Sequence, residues 1–175
     1  MLTIGHSNRP LGEFLDLLKT HGVKLLVDIR TMPRSRYNPQ FNSYTLQQAL
    51  AAEEIAYEHL PGLGGLRHPR KDSPNTGWKN ASFRGYADYM QTEEFRQNLE
   101  KLLQLAGRRP TAIMCAESVP WRCHRSLVAD VLTARGIPVF HIMSKTQANP
   151  HRLTAFARVE GDQVLYPPPD LDLFR

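Results

Sequence analysis

Cysteine is scarce in this chain: 2 among 175 residues, which excludes a small disulfide-stapled scaffold. No uninterrupted apolar run reaches the roughly 18 residues a membrane helix needs, so no membrane partner is expected. The start, Met1-Leu2-Thr3-Ile4-Gly5-His6-Ser7, has no apolar signal core and reads as mature protein. Together these point to a reducing cytoplasm, where the cysteines are thiols. Internal repeats and low-complexity stretches are absent. Charged residues at 22% and apolar residues at 41% suit a globular domain with a real core, not a disordered chain. The length fits one compact domain better than two. The net charge of +5 mildly favours an anionic partner and says nothing about fold.

Periodicity gives an alternation of strands and helices. Strands are expected at residues 2–5, 23–30, 55–60, 111–116 and 137–142, the last of these closing the core. Helices are expected at 11–21, between Pro10 and Gly22, at 45–53, in a longer stretch ending over 99–106, and at 120–135, stopped by Gly136. Apolar strand centres such as Leu25-Leu26-Val27 suit a parallel sheet covered on both faces. The expected class is α/β: a three-layer sandwich with a mostly parallel sheet, plus a C-terminal β-hairpin. Residues 61–83 break the rhythm with four glycines and three prolines and read as a long functional loop. Residues 156–166 carry the Glu160-Gly161-Asp162 turn of a hairpin, and Pro167-Pro168-Pro169 is extended. Residues 1–143 are read as the α/β domain, and 144–175 as an extension packed on it.

Out-of-place polar residues gather after strands. His6 and Ser7 follow the first strand, Asp28 and Arg30 end the second, and the Gly62–Gly65 run follows the third. Cys115 and Glu117 end the fourth, and His141 lies in the last. The carboxyl ends of parallel strands share one edge, where ligands bind.

The densest motif is Cys115-Ala116-Glu117-Ser118-Val119-Pro120-Trp121-Arg122-Cys123-His124-Arg125. Ser118 is read as an N-cap with Pro120 in the first helical turn. A helix start favours anions, and a thiol beside it is pushed toward thiolate. Against this, Cys123, Leu127, Val128, Val131 and Leu132 share one helical stripe, which suits packing. Three chemistries remain open. One cysteine is a nucleophile, with Glu117 or His6 as proton carrier, though the Cys115-to-Arg122 spacing misses that of phosphatase cradles by one residue. Alternatively Cys115 and Cys123 form a redox pair, with seven residues between them. In the third, Cys115, Cys123, His124 or His6, and Glu117 hold zinc or another transition metal.

The second constellation is basic. Arg30, Arg34 and Arg36 lie on one strand end and its loop, and Asp28 is placed to pair with Arg30 or Arg36. Tyr37, Phe41 and Tyr44 follow, and the long loop adds Arg67, His68, Arg70, Lys71, Trp78 and Lys79. Cations interleaved with aromatics suit phosphates with stacked bases. Tyr86 and Tyr89 have core spacing, and His21, His59 and His151 are read as structural or surface residues.

Thr3-Ile4-Gly5-His6-Ser7, Val27-Asp28-Ile29-Arg30 with Pro33, Ser35 and Arg36, Leu63-Gly64-Gly65, and Cys115-Ala116-Glu117 with Cys123-His124-Arg125 occur in this order. In these motifs the chain resembles the bacterial and archaeal family called domain of unknown function 488, over roughly residues 2–143. The resemblance implies an α/β fold and two characteristic cysteines suspected of an enzymatic role, here Cys115 and Cys123. The expected function is an enzyme using a cysteine, as nucleophile or metal ligand, on a phosphate- or nucleotide-like anion. Ser7, Asp28, Arg30, Ser35, Arg36, Gly64, Gly65, His124 and Arg125 are the expected substrate-binding residues. The rival is a non-catalytic nucleic-acid-binding module whose cysteines only pack, and a redox or small-molecule sensor is a third reading. The partner is thus an anionic small molecule or a nucleic acid.

Overall fold

A computed structural model describes residues 1–168 of the chain. One sheet runs through it, built from β1 (Leu2–Gly5), β2 (Leu25–Asp28), β3 (Ala56–His59), β4 (Thr111–Cys115), β5 (Phe140–Ile142) and β6 (Ala148–Pro150). The spatial order is β3-β2-β4-β1-β5-β6. All pairings among the first five strands are parallel, and only β6 runs antiparallel, against β5. A hairpin of β7 (Arg158–Glu160) and β8 (Gln163–Leu165) stands apart, turning at Gly161 with φ +63°.

The period of two along each strand divides the core. Leu26, Ala112, Met114 and Ile4 face α1 (Leu11–Thr20) and α2 (Ser43–Ala52), against Phe14, Leu17, Leu18, Leu46 and Leu50. Leu25, Val27, Ile113 and Cys115 face the other way, toward α3 (Ala81–Tyr89), α4 (Glu93–Ala106) and α5 (Arg125–Ala134). Helices cover both faces, which gives the three-layer α/β sandwich expected from the strand–helix alternation. Tyr86 and Tyr89 are buried in the second layer and donate their hydroxyls to the carbonyls of Leu63 and Gly62.

Connections fix where a ligand fits. The chain leaves β1 and β2 toward the α1/α2 face but leaves β4 toward the α5 face. Neighbouring strands whose connections diverge to opposite faces open a crevice at their carboxyl ends. Here that crevice is flanked by β1, β2 and β4.

Several boundaries differ from the sequence reading. Residues 120–135 are not one helix: a 3₁₀ turn at Pro120–Arg122 is followed by Cys123 in an extended conformation, and α5 starts at Arg125. Cys123 therefore precedes the stripe formed by Leu127, Val128, Val131 and Leu132. Ser118 does not cap; the Glu117 carboxylate accepts from the Val119 N–H instead, at 3.3 Å. β5 is not the last strand of the sheet, because β6 pairs beyond it. Residues 61–83 hold a 3₁₀ turn at Pro61–Leu63 and are then pinned by buried Asp88, which accepts from Arg70 N–H, Ser73 Oγ and Asn75 Nδ2. Of the three consecutive prolines, Pro169 lies outside the described residues.

Candidate active site

Gly5 ends β1 where a side chain has no room. A Cβ there would lie 1.9 Å from the Glu117 carbonyl oxygen, so only glycine lets the 116–118 loop cross over the strand. The chain beyond still pairs with that loop, His6 N–H to Cys115 O at 3.1 Å and Ser7 N–H to Ala116 O at 2.8 Å. Ser7 adopts φ +50°, a left-handed conformation that non-glycine residues seldom take and that recurs at functional positions. These contacts bring the ends of β1 and β4 together as the floor of a cleft of about 690 Å³.

One side of the floor is an ionic knot. Asp28 is fully buried and receives Arg30 Nε at 2.9 Å and Arg30 Nη2 at 2.6 Å, a bidentate pair, together with the Tyr57 hydroxyl at 2.8 Å. Arg30 Nη2 also donates to the Phe41 carbonyl, and His59 donates to the Arg30 carbonyl. Arg30 Nη1 lies 3.2 Å from His6 Nε2, while His6 Nδ1 lies 2.7 Å from the Ser7 carbonyl. The carbonyl can only accept, so Nδ1 carries the proton and Nε2 accepts from Arg30. Burial, aided by the Arg30 charge, lowers His6 to about 4, in keeping with that neutral form. The His6 ring stacks on Phe41 with centroids 4.3 Å apart. One Nη1 proton of Arg30 remains without a partner among the described residues, and Arg30 lines the cleft.

The other side holds the thiols. Cys115 and Cys123 are both buried, both free and both on the cleft floor. Arg125 is 1% exposed and donates Nη1 to Cys115 Sγ at 2.8 Å and to the Glu117 carbonyl, and Nη2 to the Ser118 carbonyl at 2.8 Å. No carboxylate pairs with this guanidinium among the described residues. Burial by itself would push the Cys115 thiol up, but a hydrogen bond from Cys123 and the Arg125 charge outweigh it and bring Cys115 down. Cys123 moves the opposite way, raised by that same bond and by burial. Of the two thiols, Cys115 is therefore the readier to ionise and Cys123 the one that keeps its proton longer.

The walls come from three loops. His124 caps α5, with its ring 5.0 Å from Tyr86, and burial lowers it to about 4. Gly65 lines the cleft against this ring: a Cβ on Gly65 would meet His124 Nδ1 at 2.5 Å. Ser7, Ser35, Glu117, Arg34 and Arg122 complete the polar lining, with Met32, Leu66 and Phe83 as apolar surface. Arg34 and Arg122 are exposed and make no ion pair among the described residues. Glu117 uses one carboxylate oxygen to cap Val119; the other has no hydrogen bond among the described residues.

The expected site residues therefore divide. Cys115, Cys123, Glu117, His6, Ser7, Arg30, Ser35, Gly65 and His124 meet at one cleft. Asp28 and Arg125 lie beneath it, on Arg30 and Cys115 respectively. Gly64 faces Thr31 and Arg36 lines an adjoining cavity. His141 turns away, bonded to Thr3 and His151. Asn8 and Asn38 also line the cleft, and no spacing in the sequence marks them. Among the described residues, no group of three or more His, Cys, Asp or Glu side chains is placed to hold a metal ion. Cys123 Sγ lies 3.7 Å from His124 Nδ1, but Cys115 turns its sulfur to a guanidinium, so these candidates do not form a ligand set for zinc.

The fold and floor define a three-layer α/β protein with two buried free cysteines, one of them against a guanidinium, at the carboxyl edge of its sheet. The family model described as domain of unknown function DUF488 matches residues 10–132, and the chain belongs to that family. The matched span contains Arg30, Cys115 and Arg125 and leaves out β1 with His6. No curated protein and no solved structure matches the chain. No helix among the described residues is long and apolar enough to cross a membrane.

Proposed function

We propose that this protein is an enzyme in which the Cys115 thiolate attacks a phosphate- or nucleotide-like anion held in the cleft. The observation that carries this reading is the buried Arg125 guanidinium, which donates to the Cys115 sulfur at 2.8 Å and pairs with no carboxylate among the described residues. An unpaired buried charge costs several kcal/mol, so the protein gains by keeping that sulfur ionised. Arg30, Arg34 and Arg122 supply charge-assisted donors to the substrate. As the bond from Sγ to the electrophilic centre forms, the leaving-group bond breaks. The leaving group departs with the electron pair of its bond, and Glu117, the cleft carboxylate with an unengaged oxygen, takes the proton of the nucleophile that then displaces the sulfur. His6, neutral and accepting from Arg30, orients that guanidinium. Water as second acceptor makes the enzyme a hydrolase, and another nucleophile makes it a transferase.

Alkylation with site mapping tests this. Cys115 is expected to react with a pH midpoint below the ~8.5 of free cysteine. The cationic walls are expected to favour iodoacetate over iodoacetamide more than free cysteine does, and inorganic phosphate to protect. Cys115 reacting no faster than free cysteine at neutral pH, with no preference for the anionic reagent, overturns the reading. The rival binding module is favoured by one feature, the exposed aromatics beside Arg34 and Arg36. It expects full function in Cys115→Ala.

A further inference from the structure

Beside the cleft lies a second cavity of about 670 Å³, and Met32, Arg34 and Ser35 line both. Arg36 belongs to the second cavity alone. The segment between them is held firmly. Ser35 donates its N–H to Asn42 Oδ1 at 2.7 Å, Asn38 N–H donates to Ser35 Oγ at 3.1 Å, and Ser43 N–H donates to the Pro33 carbonyl at 2.8 Å. Arg34 and Arg36 stand on either side of this anchored serine, exposed and without an ion pair among the described residues. Tyr37 follows at 94% exposure, with Tyr44 also exposed. Nothing in the fold is stabilised by leaving an aromatic ring of that size in water, and a rigid loop that alternates cations with open rings matches phosphates and stacked bases.

We propose that the substrate continues out of the cleft as single-stranded nucleic acid, its next phosphates on Arg34 and Arg36 and a base on Tyr37. This rests on the reading of the cleft as an anion site and extends it from a mononucleotide to a polymer. A phosphorylated peptide satisfies the two arginines but leaves the open Tyr37 face without a partner of its kind, so nucleic acid is the better match.

The test measures anisotropy of fluorescent oligo(U) and oligo(dT) of about 12 nucleotides, with UMP as competitor. The oligonucleotides are expected to bind at least roughly tenfold tighter than UMP, one stacked base accounting for that factor. Raising salt from about 50 to about 200 mM is expected to weaken binding about sevenfold through the two arginines, and by less in Arg36→Glu. Tyr37→Ala is expected to cost roughly tenfold in oligonucleotide affinity while iodoacetamide kinetics at Cys115 stay as in the unaltered protein. Oligonucleotides binding no tighter than UMP, or a phosphoserine peptide of equal charge binding tighter, overturns the inference. If UMP still protects Cys115 in either case, the cleft reading stands and only the extension falls. A Cys115 thiol behaving as free cysteine fails the cleft reading itself.

Discussion

Nε2 of His151 lies 2.8 Å from Oδ1 of Asp130, and that buried carboxylate also receives the Thr154 N–H, the Thr154 hydroxyl and the Tyr166 hydroxyl. On its far side, His151 Nδ1 accepts from His141 Nε2 at 2.9 Å, and His141 Nδ1 accepts from the Thr3 hydroxyl at 2.7 Å. With Asp130 ionised, every proton in the row points toward it. Asp130→Ala strips four donors of their acceptor and is expected to cost about 3–5 kcal/mol. Limited proteolysis is the direct check, with new cleavage between residues 143 and 168 expected in the variant.

His6, His124 and His141 are each lowered to about 4 inside the protein, loss of solvent around the ring being the main cause in all of them. Unfolded, they bind protons from about 6.5 downward. The unfolded chain thus takes up more protons than the folded one between those values, and stability falls as pH drops. Melting temperature is expected to hold above about pH 7 and to decline steadily from about 6.5 toward 4. A flat profile across that window would show that the three rings are protonated within the fold.

Arg125→Lys keeps the charge but loses the fork that serves one sulfur and two carbonyls at once. The alkylation midpoint of Cys115 is expected to stay below that of free cysteine. Arg125→Gln, lacking the charge, is expected to raise that midpoint and to destabilise the protein by about 2–4 kcal/mol through unpaired carbonyls. An unchanged midpoint in Arg125→Gln would mean that Cys123 alone sets the ionisation.

Asp28→Asn keeps the size of the side chain while leaving the buried Arg30 cation uncompensated. A loss of about 3–5 kcal/mol is expected in urea unfolding, because breaking one partner of a buried pair strands the other. Arg30 also loses its anchor, so phosphate protection of Cys115 is expected to weaken.

Gly5→Ala forces the 116–118 loop off β1, since the added carbon meets backbone and not a movable side chain. Cys115 alkylation is expected to slow at least about tenfold, with a stability loss of about 1–3 kcal/mol. Reactivity equal to that of the unaltered protein would mean that the loop relaxes without disturbing the thiol.

The alternation of elements was legible because periodicity reports which residues meet the two cores, and the parallel pairing that it implies sets the strand ends along one edge. What escaped were relationships across sequence distance. Arg125 reads in sequence as a substrate-binding cation; its burial beneath Cys115 follows only once the 116–118 loop folds over Gly5 and its carbonyls need a donor. β6 is three residues long and ends at Pro150, so it lacks any strand signal of its own and exists through pairing with β5. The break at Cys123 was hidden because its spacing to Leu127 and Val131 is helical, although the chain straightens there. Asp88 and Asp130 are ordinary helix residues in sequence, and the side chains and N–H groups that bond to them lie 13 or more positions away.

β1 is completed only by strands that follow it far along the chain. β1 sits between β4 and β5, so its backbone groups wait for residues 111–115 on one side and 140–142 on the other. On the ribosome, about 100 residues must follow before its first neighbour is available. Until then the emerging segment is an apolar strand with two open edges, a substrate for chaperones or for another nascent copy. His6 and Ser7 lie at its end, so the thiol floor cannot assemble ahead of the sheet. Any reactive cysteine chemistry is withheld until β4 and the 116–118 loop have been made.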